Sequence, residues 1–210
     1  MRNIILLFLF FRVFFAIAQS DPEAERLLQE VSDKINHYEN VKIDFVYQLY
    51  NPKAGVKEET NGQVTLKGNK YYAEYMGVID IFDGQKRYII IPENEEVNVM
   101  SPENVDEITP ARLFDFYKKG YRATKDITQK VMGRVIKYVK LYPIKDNGID
   151  YVLVGVDIKT KHIYQVIIVQ KNKTRITLKI RKISVNQPLN DKLFQFDRTK
   201  YSNYFINELD

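Results

Sequence analysis

The 210-residue sequence has no cysteine, no tryptophan and two histidines, His37 and His162. Without cysteine, the chain forms no disulfide and offers no thiolate to a zinc ion or an iron–sulfur cluster. Two histidines that are far apart in the sequence do not make a metal-ligand cluster either. We therefore expect no metal and no cofactor, and a fold that depends on a sufficiently large hydrophobic core.

The short motifs that mark common active sites are also missing. The sequence contains no G-x-S-x-G elbow, no P-loop and no dinucleotide-binding glycine fingerprint. Gly62, Gly68 and Gly84 are interpreted as turn glycines. Asp80 and Asp83 are close in sequence, but an outward-facing strand residue and an Asp-Gly turn explain them better than a catalytic carboxylate pair. We therefore expect no catalytic residues and no enzyme, and a hydrolase is the least favoured function.

The sequence has little excess of either positive or negative charge. The chain has 32 basic and 27 acidic residues, and two of the arginines fall within the first 18 residues. The remainder carries only a small positive charge, distributed over many lysines. Nucleic-acid binding proteins concentrate basic residues on one face, so we expect no nucleic-acid partner.

One long hydrophobic run is present, at the N-terminus. Arg2 is followed by an almost unbroken apolar stretch that ends in Ala16-Ile17-Ala18. A basic start, an apolar run shorter than a membrane span and a small-x-small site are typical of a secretory signal peptide. We expect residues 1–18 to be removed and residues 19–210 to form one exported domain. It should be soluble, since no cysteine follows the site to carry a lipid anchor.

Hydrophobic periodicity predicts two helices. After Pro22, apolar residues at helical spacing predict an amphipathic helix of about four turns. Thr109-Pro110 is a typical helix start and Gly120 a typical stop, so residues 109–119 are predicted to form a second, strongly apolar helix.

Alternating apolar and polar residues predict strands over most of the remaining chain. Late in the chain, the alternation of Ile176, Leu178 and Ile180 slips phase at Arg181-Lys182, which predicts a β-bulge. The predicted strands are 41–50, two strands within 61–75, three within 77–99, and then 134–142, 151–158, 163–170 and 174–185.

These elements predict a mainly β fold in which one side of a long antiparallel meander is apolar. A single sheet of about ten twisted strands tends to curl, and amphipathic helices would cover its concave side. We therefore predict an unclosed antiparallel β-barrel, a curved sheet with helices over its concave hydrophobic face.

The pattern alone leaves open whether the inward-facing residues form a sealed core or line a cavity. Most apolar faces pack closed, but small antiparallel barrels also hold apolar ligands. The residues predicted to face inward are Phe45, Tyr47, Val64, Leu66, Tyr71, Ala73, Tyr75, Ile79, Ile81, Tyr88, Ile90, Val97 and Val99, with Leu113, Phe114 and Tyr117 on the second helix.

The order of features along the chain resembles the LolA family of periplasmic lipoprotein carriers, from about residue 24 to residue 197. The resemblance rests on the segments NGQVTLKGNKYYAEY, DIFDGQKRYIIIP with EEVNV, ITPARLF and the closing NQPLNDKLFQFD. The family's fold is an unclosed β-barrel with helices that form a lid over a hydrophobic cavity. Its members accept lipoproteins from an inner-membrane ABC transporter and deliver them to the outer membrane.

This resemblance implies a function for the inward residues. They would form an acyl-chain cavity, with Leu113, Phe114 and Tyr117 as its lid and Tyr88 where the family usually has tryptophan. The implied partners are acylated lipoproteins, the lipoprotein-releasing ABC transporter and an outer-membrane acceptor. The resemblance also implies that the protein acts as a monomer in the periplasm. One departure is Gly68, which stands opposite the arginine that is implicated in lid closure.

Other functions on the same fold stay open. The chain could carry a different lipid, such as a fatty acid or a pigment precursor, or it could sense mislocalised lipoproteins, although such sensors usually have an additional domain. The segment 198–210, RTKYSNYFINELD, could pair as an edge strand or pack as a short helix.

Overall fold

The computed structural model describes residues 20–101, 114 and 116–209. Within these residues, one α-helix and twelve strands are present, and all the strands belong to one sheet. Short 3₁₀ turns lie at Pro92–Asn94, Phe116–Lys118 and Asp191–Phe194. The helix is α1 (Pro22–Asn36), and the strands are β1 (Val41–Asn51), β2 (Val56–Lys67), β3 (Lys70–Tyr75), β4 (Val78–Phe82), β5 (Arg87–Ile91), β6 (Glu96–Met100), β7 (Tyr121–Val131), β8 (Arg134–Pro143), β9 (Ile149–Asp157), β10 (Ile163–Gln170), β11 (Arg175–Val185) and β12 (Phe205–Leu209).

Two parts of the sequence-based prediction fall mainly outside these residues. The expected export signal, residues 1–18, is not among them, and neither is most of the predicted second helix. The described end of that segment is the 3₁₀ turn Phe116–Lys118.

The sheet consists of two antiparallel meanders, β1–β6 and β7–β11, joined by the pairing of β1 with β11, and β12 is added in parallel beside β6. Its order is β12-β6-β5-β4-β3-β2-β1-β11-β10-β9-β8-β7, so β7 and β12 are end strands that do not pair with each other. The sheet is therefore an unclosed barrel, which confirms the predicted fold class.

Helix α1 forms where the sequence predicts it. The Asp21 carboxylate accepts hydrogen bonds from the backbone N–H groups of Glu23 and Ala24 at 2.8 and 3.3 Å, and Pro22 occupies the first turn. The Asp21 N–H donates to the carbonyl of Ala123 in β7 at 2.8 Å. The apolar stripe of α1 is buried against one face of the sheet, which we call the inner face; the stripe is Ala24, Leu27, Leu28, Val31 and Ile35.

The β-bulge predicted in the last long strand is present. Asp44 of β1 lies opposite Lys182, but the next residue, Phe45, lies opposite Ile180, so Arg181 is the extra residue. Without this insertion Ile183 would face away from Ile180. With it, both side chains pack against the core on the inner face.

Strand β7 was not predicted, because much of it has no apolar face. Residues 125–130 are all exposed, and they pair only with β8 at the edge of the sheet. The alternation that identifies a half-buried strand is therefore missing from this segment.

The C-terminal segment forms an edge strand, one of the two predicted alternatives. β12 pairs in parallel with β6, and the Phe205 N–H donates to the carbonyl of Glu95 at 2.8 Å. To reach that edge, the chain first crosses the outer face of the sheet, the face opposite α1.

Apolar residues are packed on both faces of the sheet, so the prediction of a single interior side is wrong. The larger cluster lies on the inner face around α1. A smaller cluster, the outer cluster, lies beneath the C-terminal segment and consists of Ile81, Ile90, Val97, Val99 and Tyr201, with Tyr72, Ile79, Tyr88, Phe196, Tyr204 and Ile206 packed against it.

Candidate functional site

The centre of the candidate site is the inner face of β1, where Phe45 and Tyr47 lie between β2 and β11. Phe45 pairs with Gly62 of β2, and a Cβ atom at Gly62 would come within 2.5 Å of the Phe45 ring. The glycine thus makes room for the ring inside a strand. Its interpretation as a turn glycine was wrong, whereas Gly68 and Gly84 do lie in turns between strands.

Seven of the predicted site residues come together on this inner face. Tyr47 and Tyr75 are half-buried, with ring centroids 6.5 Å apart. Loss of hydration raises the pKa of the Tyr47 hydroxyl, and the Glu58 carboxylate raises it further. The other five are at most 8% exposed: Phe45, Val64, Leu66, Tyr71 and Ala73.

The other six predicted residues do not join them. They belong to the outer cluster, on the opposite face of the sheet: Ile79, Ile81, Tyr88, Ile90, Val97 and Val99. The Tyr88 ring stacks on Phe196 at 4.7 Å, and Phe196 stacks on Tyr201 at 5.5 Å. The prediction that all thirteen share one face is therefore corrected.

The register of the β3–β4 hairpin explains this division. Met76 and Gly77 form a two-residue turn with φ of 53° and 75°, so Tyr75 pairs with Val78 and Ala73 pairs with Asp80. Asp80, and not Ile79, therefore shares the face of Tyr75. This two-residue turn was the sequence signal that could have set the phase of β4 correctly.

Asp80 was predicted to face outward, and the structure corrects this. It has no exposed surface and accepts hydrogen bonds from Nε and Nη2 of Arg87 at 3.0 and 2.8 Å. The Tyr71 hydroxyl donates to the same carboxylate at 2.9 Å, and the Tyr75 hydroxyl lies 3.5 Å from it. Burial, followed by the nearby Asp80 charge, raises the pKa of Tyr71. A polar cluster of four residues is thus embedded in the apolar inner face.

Asp83, by contrast, occupies the predicted Asp-Gly turn. Its carboxylate accepts hydrogen bonds from the backbone N–H groups of Gln85 and Lys86 at 2.7 and 2.8 Å. Such bonds stabilise a turn. Asp83 therefore stabilises the turn whereas Asp80 binds Arg87, and the two residues are not a carboxylate pair.

Strand β11 extends the apolar inner face beyond the residues chosen from the sequence. Ile176, Leu178 and Ile180 lie directly opposite Leu49, Tyr47 and Phe45 of β1. All three pack half-buried against the inner core. Their alternation was recognised as a strand, but the pairing of β11 with β1 is a long-range contact that local pattern does not reveal.

Two of the three predicted lid residues contact the inner core. Phe114 and Tyr117 are 5% and 7% exposed, and the Tyr117 hydroxyl donates to the carbonyl of Leu28 in α1 at 2.7 Å. Phe116, which was not predicted, is 2% exposed and lies edge-on to Tyr117. Leu113 lies outside the described residues.

An open groove of about 780 Å³ lies against β1–β4. Its lining combines Phe45 and Tyr75 with the polar residues Asp44, Gln63 and Glu74. A solvent-open groove with a mixed lining suits an acyl chain less well than the apolar residues of the inner face.

The described residues also bear on metal binding and membrane insertion. Within them, no group of three or more histidine, cysteine, aspartate or glutamate residues is arranged to hold a metal ion. No helix in the described part of the chain has the length and apolar character needed to cross a membrane.

Comparison with known proteins identifies the family. The family model described as "Outer membrane lipoprotein carrier protein LolA" matches residues 36–197. No curated protein matches the sequence significantly.

Solved structures are similar to this chain at low sequence identity. An uncharacterized conserved protein from Thermus thermophilus has a TM-score of 0.61 at 6% identity, covering 89% of this chain and 99% of that chain. The lipoprotein LppX from Mycobacterium tuberculosis has a TM-score of 0.50 at 15% identity, with coverage of 81% and 99%. A LolA superfamily protein from Nitrosomonas europaea has a TM-score of 0.45 at 12% identity, with coverage of 82% and 97%.

Proposed function

The chain belongs to the LolA family of outer membrane lipoprotein carrier proteins, and on that basis we propose that it is a soluble periplasmic carrier. It binds the acyl chains of lipoproteins on the inner face of the sheet and transports them from the inner to the outer membrane. In this proposal residues 1–18 are the cleaved export signal and residues 19–210 act as one monomeric domain. The lipoprotein-releasing ABC transporter and an outer-membrane acceptor are its partners.

The observation that carries the proposal is the composition of the inner face. The apolar surface formed by Phe45 and Tyr47 on β1 extends to Tyr75 on one side and to Leu178 on the other. Burial of an acyl chain contributes about 0.8 kcal/mol per CH₂ group, so an extended apolar surface retains the chains in water. Tyrosine has a polar hydroxyl at the end of an apolar ring, so half-buried tyrosines tolerate both a lipid-filled and a hydrated site.

Access to this surface requires a movement of the covering residues. Helix α1 and the aromatic residues Phe114, Phe116 and Tyr117 pack over the inner face. The Tyr117–Leu28 hydrogen bond joins these two covering parts. Acyl chains reach the inner face when the aromatic residues separate from it, and the carrier releases them when the residues return.

The arginine that the family resemblance leads one to expect is replaced by Gly68 in an exposed turn. Its φ of 58° favours glycine, and no atom lies within 4 Å of the position a Cβ would occupy. Buried charge on the inner face comes instead from the Asp80–Arg87 pair. Closure in this protein therefore does not depend on a side chain at position 68.

The direct test is to isolate the mature protein from the periplasm of its own host and identify the co-purifying molecules by mass spectrometry. Lipoproteins with acylated N-termini support the proposal. Free fatty acids or other small lipids without lipoproteins instead favour a carrier of a different lipid. A protein that contains no lipid, and that takes up no lipoprotein in a release assay, would mean that the inner face is an ordinary core.

A further inference from the structure

One end of the sheet carries an unusually exposed apolar side chain at the tip of the β7–β8 hairpin. Val131 pairs with Arg134, and the two residues between them, Met132 and Gly133, form a tight turn with φ of 48° and 79°. The Met132 side chain is 96% exposed. Neither packing nor a hydrogen bond explains an apolar residue at this place.

Backbone conformation does not explain it either. A two-residue hairpin turn with positive φ at both positions favours Asn or Gly at the first position. Methionine has a Cβ that makes positive φ unfavourable. Met132 is therefore present against the local backbone preference. Met76 in the β3–β4 turn is too, but its side chain is 41% exposed, and it is the 96% exposure of Met132 that points to a role for the side chain.

Exposed cations surround this tip. Lys130 and Arg134 flank it on the hairpin, Lys159 lies in the β9–β10 turn, and Arg181 and Lys182 lie at the β11 bulge. None of the five forms an ion pair with a described residue. The segment from residue 121 to residue 135 contains a single acidic residue, Asp126.

The β9–β10 turn is held beside the hairpin and adds a second apolar side chain. The Ile158 N–H donates to the carbonyl of Val135 at 3.1 Å, and the Ile158 side chain is 41% exposed. The carboxylate of Asp157 accepts hydrogen bonds from the backbone of Lys159 and Thr160, so it stabilises the turn. A groove of about 640 Å³ is lined jointly by the hairpin tip, this turn and the β11 bulge.

The opposite end of β8 provides a contrast within the same molecule. Ile144 is 71% exposed just after the other end of this ten-residue strand, about 30 Å from the tip at 3.3 Å per residue. There, however, Lys171 is paired with Asp146 at 2.6 Å and Lys173 with Asp150 at 3.6 Å. Exposed apolar residues occur at both ends, but two lysines at the Ile144 end are paired with carboxylates, whereas none of the five cations at the hairpin tip is.

We propose that this tip, defined by Met132, Ile158 and the five cations, is a docking surface for a bilayer that contains anionic phospholipid. The two apolar side chains enter the headgroup layer, and the cations bind lipid phosphates. A projecting tip fits a fluid headgroup layer without needing a complementary pocket, which favours a membrane over a protein partner. Although Ile180 and Ile183 of the inner face also line the groove, none of the residues that define this surface is among those proposed to bind acyl chains, so the inference does not depend on acyl-chain binding.

Because the chain has no tryptophan, a single introduced tryptophan reports on its own surroundings. Met132→Trp and Ile144→Trp are compared in the mature protein with vesicles of phosphatidylcholine that do or do not contain phosphatidylglycerol. We expect the fluorescence of Met132→Trp to shift to the blue only with phosphatidylglycerol, and that of Ile144→Trp to stay unchanged. No shift at position 132, or equal shifts at both positions, overturns the proposal.

A second variant separates docking from folding. Met132→Asn creates the preferred Asn-Gly turn, so its stability should be equal to or higher than that of the unchanged protein, while vesicle co-sedimentation falls. Ile144→Asn is the matched control and should sediment normally.

Arg134→Gln and Lys159→Gln should each weaken vesicle binding by roughly five-fold, which corresponds to about one charge at an anionic surface. If fatty-acid binding stays normal while these variants lose vesicle binding, docking and carriage are distinct. If Met132→Asn sediments normally, the docking proposal is wrong.

Discussion

Asp80 and Arg87 form a two-point ion pair on the inner face of the sheet, with N–O distances of 3.0 and 2.8 Å. Asp80 is fully buried, and the Arg87 side chain is 12% exposed. The pair joins β4 to β5 directly beneath an apolar surface. A buried charge that loses its partner is costly, whereas replacement of both charges by apolar groups is often tolerated.

Arg87→Met should therefore destabilise the protein strongly. Removal of one partner from a buried pair costs about 3–5 kcal/mol, because the Asp80 carboxylate is left without its main compensating charge. Urea unfolding of the mature protein measures this loss. The double variant Asp80→Leu with Arg87→Met should lose less than the single variant. If the single variant is as stable as the double variant, the ion pair does not have the role assigned here.

Tyr47→Ser should weaken acyl-chain binding. Loss of this half-buried ring removes apolar surface from the centre of the proposed site, which should lower the affinity for a fluorescent fatty acid by about three- to ten-fold. Tyr50→Ser is the matched control, because Tyr50 is on the same strand but is 45% exposed and on the other face. Equal affinities for the two variants would argue against the inner face as the site.

Phe196→Ala should destabilise the protein without changing the affinity for lipid. The Phe196 ring is stacked between Tyr88 and Tyr201 in the outer cluster. Because the ring is only partly buried, its removal should cost about 0.5–3 kcal/mol, the usual range for a destabilising single substitution. Phe205→Ala, at a residue that is 70% exposed, should have little effect on unfolding. If the Phe196→Ala protein is folded but no longer binds fatty acid, the outer cluster is part of the lipid-binding site.

Acid should loosen the attachment of α1 to the β7–β8 edge. Lys137 and Lys125 lower the pKa of Glu23 from 4.5 to about 2, and the Lys125–Glu23 distance is 3.0 Å. A lowered pKa means that this stabilisation is complete above pH 4.5 and is lost as the pH falls towards 2. The effect is small because the pair is exposed to solvent.

The check on Glu23 is the thermal unfolding midpoint measured across this pH range. Glu23→Gln should show a smaller decrease than the unchanged protein between pH 4.5 and 2. Glu25→Gln serves as the control, because Glu25 forms no ion pair with a described residue. Identical pH profiles for all three proteins would show that Glu23 contributes nothing to the pH dependence.

Several elements could be predicted because their signals are local. The stripe of α1 is contained within its own fifteen residues and its cap, Asp21, directly precedes them, and the phase slip at Arg181 is visible within β11. The alternation on β1 correctly assigns Phe45 and Tyr47 to one face. In each case the periodicity of one element is enough, since each element has one apolar and one polar side.

The apolar residues of strands β4–β6 were assigned to the wrong face because the local pattern does not distinguish the two faces of the sheet. Both sides of β4 are apolar over much of their length: Ile79 and Ile81 lie on the outer face, and Val78 and Phe82 on the inner face. When both faces are apolar, alternation no longer indicates which one faces the core. The register with β3 decides, and it places Asp80 beside Ala73.

An unclosed, mainly β fold with a covering helix can be predicted from the amino-acid sequence, because short-range periodicity and capping encode the elements and their order. Which apolar residues share a face cannot be predicted in this way. That choice depends on contacts between distant segments, namely β1 with β11 and the C-terminal segment with the outer cluster. The second apolar face is accounted for by the chain's own C-terminal residues, which bury it beneath Phe196 and Tyr201.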